Sequence, residues 1–276
     1  FKLMFYKFKK KIINLINHPF LTVRLFHKIL KNYFFLDYIK KKSKFFFIKN
    51  DFIKYFKKND PDEIPPEWTD LKFMYDLVRK RKPTCVVEFG SGASTIAIGL
   101  ALKENELKDK IVGRLFSVDA NREWIENTKK KIDKDLKEYI QFHFSKAVIS
   151  TYNGQIVSFH ESLPNVSPNL IYLDGPSPLD VSGNINGLSF QSKPIKKDDD
   201  PNDGVFYNYC NNSRRIVAAD PLLYESTAPA DFFIFIDRRY TNANFLEKNL
   251  KYSYKIKKDI SLGGISTFEK KYQPYP

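Results

Sequence analysis

Cysteine is scarce in this chain: Cys85 and Cys210 are the two in 276 residues. Two thiols without metal-ligand spacing fit a reducing compartment better than a disulfide framework. Cys85 falls in an apolar strand pattern, which is a structural place. Long apolar runs are also missing. Nowhere do 18 apolar residues follow one another, so no membrane-spanning helix is expected. The opening residues lack an apolar core followed by a small-residue cleavage site, so no secretory leader is expected and the cytoplasm is the expected location. Acidic residues are scarce at one end only. Residues 1–60 hold 16 Lys/Arg against 3 Asp/Glu, while the whole chain carries +14. The remainder is therefore nearly neutral. A nucleic-acid enzyme is expected to carry basic charge around its catalytic domain. This asymmetry instead marks the first 60 residues as a separate basic unit. No internal repeat is apparent.

What the chain does have is organised in two parts. Residues 1–60 form a basic, aromatic-rich helical extension. Leu3, Met4, Phe8, Ile12, Leu15 and Ile16 recur near helical spacing between lysines, and a second helical piece fits Leu21–Tyr38. Phe45-Phe46-Phe47 and Phe52, Ile53, Tyr55 and Phe56 continue the theme. Such a segment suits an anionic membrane surface or a partner subunit through residues 1–58, or packing on the main domain. Asp60-Pro61-Asp62-Glu63-Ile64-Pro65-Pro66 reads as a linker. Residues 61–276 form the second domain, opened by a helix from Thr69 or Asp70 through Arg79.

In that domain apolar runs alternate with helical patterns. Strands are expected at 84–89, 114–119, 139–144, 169–174, 231–237, 252–258 and 264–270. Helices are expected at 94–104, 122–136, 213–225 and 241–250. Asn153-Gly154 joins Ala147–Thr151 to Gln155–His160 as a hairpin. Residues 177–212, rich in Ser, Gly, Asn, Asp and Lys, read as a lid or flexible loop. The fold expected is α/β: a seven-stranded, mostly parallel sheet with an antiparallel C-terminal strand and helices on both faces.

Four of the strands end in carboxylates: Glu88, Asp119, Asp174 and Asp237. Such groups line the C-terminal edge of an open sheet, where ligands bind. After Glu88 the chain reads Phe89-Gly90-Ser91-Gly92-Ala93-Ser94-Thr95, a glycine turn into a helix start. Its glycines allow close backbone approach, and the helix start presents free N–H groups. Glu88 and Asp119 also read as caps of the adjacent helices, although capping does not explain their joint spacing.

Glu88-Phe89-Gly90-Ser91-Gly92 with Ser94-Thr95, then Ser117-Val118-Asp119 with Glu123-Trp124, then Leu173-Asp174-Gly175-Pro176, resembles the class I S-adenosylmethionine-dependent methyltransferases. These are Rossmann-like enzymes, and the resemblance covers about residues 70–270. It implies S-adenosylmethionine as cofactor. Gly90, Ser91 and Gly92 would contact its amino-acid end, with Ser94 and Thr95 at the helix start. Glu88 would hold the amino group directly or through water. Asp119 would accept the ribose hydroxyls, Ala120 and Asn121 would line the adenosine, and Ser145, Lys146 and Ala147 would read the adenine. Lys146 is atypical there.

Asp174 faces the expected reaction centre and also belongs to the cofactor set. Asp174, Asp237 and His160 are the candidate catalytic residues. Asp174 and Asp237 are candidate ligands of Mg²⁺; an Asp237–Arg238 ion pair is the competing reading. His160 is a candidate base or a structural histidine. Arg238 and Arg239 are candidates for binding an acidic acceptor. The expected function is O-methylation of a small-molecule or glycan-precursor acceptor. The alternative is a non-catalytic or RNA-directed protein on the same scaffold. A nicotinamide-dependent enzyme is disfavoured by the missing third glycine, and an RNA enzyme by the absence of an Asn-Pro-Pro-Tyr motif.

Overall fold

The computed structural model describes residues 35–57, 65–190, 217–237, 239–259 and 265–271. They fall into two compact units: residues 35–54 with 65–72, and residues 55–57 with 73–271. The expected helix over Leu3–Ile16, most of that over Leu21–Tyr38, and most of the Asp60–Pro66 linker lie outside the described residues.

In the first unit residues 35–49 are helical (α1). Ser43 and Phe47 are buried along one stripe of α1. The Phe47 ring lies 5.6 Å from that of Trp68, and Lys72 Nζ stands 4.3 Å over the Phe46 ring. Trp68 opens α2 (Trp68–Arg81), the helix expected before the first strand.

The second unit is built on a seven-stranded sheet. Its strands are β1 (Cys85–Phe89), β2 (Arg114–Asp119), β3 (Ile140–Phe144), β6 (Leu170–Leu173), β8 (Phe233–Ile236), β9 (Tyr254–Asp259) and β10 (Ile265–Lys270), in the order β3-β2-β1-β6-β8-β10-β9. β10 pairs antiparallel with both β8 and β9 and is the single reversed strand of this sheet. The expected fold class is the observed one.

The order reverses between β1 and β6: from β1 the chain runs outward through β2 and β3, then returns to the other side of β1. In open sheets a ligand crevice forms at such a reversal, outside the C-terminal strand ends. Side chains of β1 alternate between faces. Val87 and Phe89 pack with Ala147, Val157 and Ile171 in the larger core, while Val86 and Glu88 point to the other side. There α3 (Ala93–Asp109) buries Ile96, Ala97, Leu100 and Ala101. Phe73, Phe235 and Tyr172 stack in series, with centroid separations of 5.3 Å at each step.

The expected hairpin is present as β4 (Ala147–Tyr152) and β5 (Gln155–His160), and it carries the chain from β3 to β6 in place of a helix. With β7 (Val181–Ser182) it forms a second, three-stranded sheet. Residues 177–190, expected as part of a lid, are therefore partly ordered by pairing. Val181 aligns with Ala147, after a 3-10 turn at Pro178–Asp180. Residues 191–212 lie outside the described residues.

Two helix expectations are corrected. The helix expected over 122–136 breaks into α4 (Arg122–Lys131) and α5 (Lys134–Lys137). Ile132 turns extended, and the Asp133 carboxylate caps the new turn by accepting the Leu136 N–H at 2.9 Å. Aspartate competes well for that role because its side chain replaces a helical backbone partner. The helix expected over 213–225 is α6 (Pro221–Glu225) within the described residues. Val217–Ala219 is extended instead. Its Val217 carbonyl accepts the Ser158 N–H at 2.8 Å, and Ala219 N–H donates back to Ser158 at 3.0 Å.

The other edge of that segment is met by Asn242 in α7 (Tyr240–Asn249). Asn242 Oδ1 accepts the Ala218 N–H, and Nδ2 donates to the Ala218 carbonyl, each at 2.8 Å. Asn242 is fully buried, so its amide acts as a missing strand partner. Asn242→Ala is expected to destabilise the fold by about 2–3 kcal/mol, because two buried backbone groups lose their partner. Urea unfolding measures this. A loss below about 0.5 kcal/mol would show that Ala218 finds other partners.

Candidate functional site

Every carboxylate that ends a parallel strand stands on one edge of the sheet: Glu88 within β1, Asp119 at the end of β2, and Asp174 and Asp237 just after β6 and β8. Their environments differ sharply.

Glu88 is fully buried and faces inward to the start of α3. Oε1 accepts the Ser94 hydroxyl at 2.5 Å, and Oε2 accepts those of Thr95 and Ser117 at 2.6 and 2.8 Å. Thr95 Oγ1 in turn accepts the Gly92 N–H at 2.9 Å. Ser91 Oγ lies 2.8 Å from Ser117 Oγ, whose own proton goes to Glu88. Ser91, Gly92, Ser94 and Thr95 are thus all tied, directly or at one remove, to a single carboxylate. Burial pushes the Glu88 carboxyl up to about 7, against the three hydroxyls, which favour the ionised form. The structure makes Glu88 the anchor of the glycine turn rather than a group exposed at the edge.

Asp119 is 8% exposed. Oδ2 accepts the Ser91 N–H at 2.6 Å and Oδ1 the Asn121 N–H at 2.8 Å. Each carboxylate oxygen has a second lone pair, so both retain acceptor capacity. Burial raises the Asp119 carboxyl above its usual range, while the two backbone donors oppose the rise. The helix-capping role belongs to its neighbour Asn121, whose Oδ1 accepts the Glu123 N–H at 2.9 Å. Asn121 Nδ2 also donates to Asp180 at 3.2 Å. Asp180 lies in the turn after β6 and was not singled out in the sequence. No local signal marks it, since its place depends on β7 joining β4. Ala120 is half-buried between Asp119 and Asn121.

The glycine turn meets the β6 end backbone to backbone. Gly90 has φ +105°, and a Cβ there would stand 3.0 Å from Gly175 N. A Cβ on Gly175 would stand 2.8 Å from Gly90 N and 2.9 Å from the Phe89 carbonyl carbon. The Phe89 carbonyl accepts the N–H groups of both Asp174 and Gly175. A Cβ on Gly92, by contrast, meets nothing within 4 Å. The glycines therefore differ in kind: Gly90 and Gly175 allow two strands to touch, and Gly92 borders open space.

Ser145, Lys146 and Ala147 bridge β3 and β4. Ser145 is buried, with its N–H on the Asp119 carbonyl at 3.0 Å and its Oγ accepting the Ser162 N–H at 2.9 Å. Lys146 is exposed, and Ala147 is buried in the second sheet.

His160, a candidate base, is buried behind Phe89, with ring centroids 5.4 Å apart. Its Nδ1 lies 3.2 Å from Oδ2 of Asp220, and Asp220 Oδ1 accepts the His160 N–H at 2.8 Å. Asp220 is itself fully buried, and its pairing with His160 has no local signal in the sequence. The imidazole thus packs in the core against Phe89, the last residue of β1, and is paired with Asp220.

The Asp174 side chain is half-exposed. Arg239 braces its turn: Nη2 donates to the Asp174 carbonyl, Nη1 to the Pro176 carbonyl at 3.2 Å, and Nε stands 3.8 Å from Asp174 Oδ1. Arg239, expected to bind an acceptor, is thereby engaged with the chain itself. Arg238 lies outside the described residues. Among the described residues no group of three or more His, Cys, Asp or Glu could hold a metal ion. The expected Mg²⁺ site at Asp174 and Asp237 therefore has no third ligand of those types there. Burial pushes the Cys85 thiol up to about 11, which suits its structural place.

No family model matches the chain, and no curated protein matches it. Several solved structures are similar. One is the O-methyltransferase TomG of Streptomyces achromogenes, in complex with SAM, at 11% identity over 85% of this chain and 90% of that one, TM-score 0.43. Another is the methyltransferase PaMTH1 of Podospora anserina, bound to SAH, at 11% identity over 86% and 88%, TM-score 0.41. A third is an O-methyltransferase of Bacillus cereus in complex with SAH, at 12% identity over 85% and 90%, TM-score 0.40. The chain is thus similar to solved structures of methyltransferases that bind SAM or its product.

Proposed function

We propose that this chain is an S-adenosylmethionine-dependent methyltransferase that methylates a hydroxyl of a small molecule or glycan precursor. One observation carries the reading: the Asp119 carboxylate binds the Ser91 N–H of the glycine turn. That bond joins a diol-accepting carboxylate to a turn bordering open space at Gly92, across the strands beside the chain reversal. Both features suit a nucleoside ligand: two vicinal hydroxyls for the carboxylate and an open backbone for the amino-acid end.

S-adenosylmethionine supplies an electrophilic methyl group when bound. An acceptor hydroxyl would have to give up its proton on receiving that group, so the site needs a side chain that can hold it. Asp174, half-exposed at the edge with Arg239 Nε 3.8 Å from its Oδ1, is suited to take that proton. Positioning supplies most of the remaining acceleration in such a transfer.

Calorimetric titration with S-adenosylmethionine tests the reading. Micromolar binding is expected, weakened at least about tenfold in Asp119→Ala, the scale of one lost charge-assisted bond. A folded wild type that fails to bind would sink it.

A further inference from the structure

We propose that the outward face of α1 is a docking surface for an anionic lipid bilayer. The helix carries two apolar faces, and the packing of its own unit explains one. Ser43 and Phe47 are buried, and Phe46 packs beneath Lys72. On the opposite side Tyr38 is 61% exposed, Phe45 61% and Ile48 48%. Their spacing of seven and three residues places them in one stripe along the helix. Phe35, three residues before Tyr38, adds exposed apolar surface beside the stripe. A solvent-facing helix side is ordinarily polar, and large exposed apolar side chains set among charges mark an interaction site.

The rim defines the partner. Lys42 and Lys49 border the stripe and Lys41 lies within it, while Lys40 pairs with Glu67 at 3.2 Å and Lys44 stands over the Trp68 ring on the side of the unit's own packing. Asp37, the one acidic residue among the described residues of the helix, is held by Lys41 at 2.7 Å. Ammonium groups around large apolar side chains suit anionic headgroups over an acyl boundary. The lysine stems can lie along the apolar surface while their charges reach the phosphates. Ile48 adds aliphatic surface, which base stacking on a nucleic acid does not use. Lysines around large apolar side chains suit a helix that lies in the interface plane. No helix among the described residues is long and apolar enough to cross a membrane.

The test is cosedimentation of the full chain with vesicles of phosphatidylcholine alone or mixed with phosphatidylserine. Binding to the mixed vesicles is expected, and it should fall as salt is raised. Phe45→Ser with Ile48→Ser is expected to lower the partition coefficient at least about tenfold. Lys42→Glu with Lys49→Glu should lower it similarly on mixed vesicles. All four positions are exposed, and circular dichroism checks that the variants fold. Absence of binding to mixed vesicles would overturn the proposal. So would variants that bind like wild type, since the binding would then belong to another basic part of the chain. A parallel titration with polyuridylate covers the remaining case. Binding to that RNA without binding to vesicles, lost in the lysine pair and kept in the apolar pair, would also overturn it.

Discussion

Wild-type stability is expected to fall by about 3 kcal/mol relative to Glu88→Gln as pH rises from about 4.5 to above 7. The cause is the burial of Glu88 among Ser94, Thr95 and Ser117, which pushes its carboxyl up to about 7. Between its ordinary value and that one, the folded chain binds a proton that the unfolded chain has released. The stability linked to this proton is therefore present at low pH and lost as pH climbs through the folded value. Gln carries no such proton but keeps an acceptor and gains a donor for the same hydroxyls. Urea midpoints of the two proteins, measured at intervals from pH 4.5 to 8, supply the comparison. A difference that stays flat across that range would mean that Glu88 is solvated or already ionised. Glu88→Ala should behave differently again. It leaves a cavity and takes the shared acceptor from the Thr95 and Ser117 hydroxyls, both buried, and from half-buried Ser94, at a cost of about 3–5 kcal/mol near pH 4.5 that shrinks as wild type loses its linked proton on the way to pH 7. Since that carboxylate ties down Ser91, Gly92, Ser94 and Thr95, ligand binding at the turn should be lost with it.

Gly175→Ala is expected to be as damaging, for a steric reason. A Cβ at Gly175 would approach Gly90 N to 2.8 Å and the Phe89 carbonyl carbon to 2.9 Å. Both are backbone atoms of β1 and its turn, so no side-chain rotation relieves the contact. The tips of β1 and β6 would have to part, breaking the bonds from Asp174 N–H and Gly175 N–H to the Phe89 carbonyl. Those two bonds and the attached packing suggest a loss of about 3 kcal/mol or more. Gly90→Ala meets the same neighbour and adds the strain of φ +105°. Gly92→Ala is the control. Its Cβ meets nothing within 4 Å, so the fold should hold within about 1 kcal/mol while S-adenosylmethionine binding weakens. Thermal melts together with calorimetry separate the cases. Equal destabilisation by Gly92→Ala and Gly175→Ala would refute this division of roles.

The sequence by itself determined the sheet. Apolar runs ending in Glu88, Asp119, Asp174 and Asp237 sit where strands end, because strand burial and chain reversal are both local demands. The reversed strand was legible for the same reason: its connection to β9 is too short for a crossover. The Asn153-Gly154 hairpin was legible because a two-residue turn needs positive φ at both positions, and both have it.

Tertiary structure alone decided the rest. Val217–Ala219 carries a helical pattern but lies extended, because Ser158 and Asn242 offer backbone partners on both sides. The break at Ile132 depends on Asp133, whose carboxylate caps the next turn and also receives the Tyr55 hydroxyl from far along the chain. His160 lies in the core because β5 passes behind Phe89. Asp180 reaches Asn121 because β7 joins the second sheet. In Glu88 the two levels meet. Its position at a strand end was plain from the residues, but its role was not. A carboxylate faces either a ligand or its own hydroxyls according to which groups the fold brings within 3 Å, and Ser117 comes from a different strand.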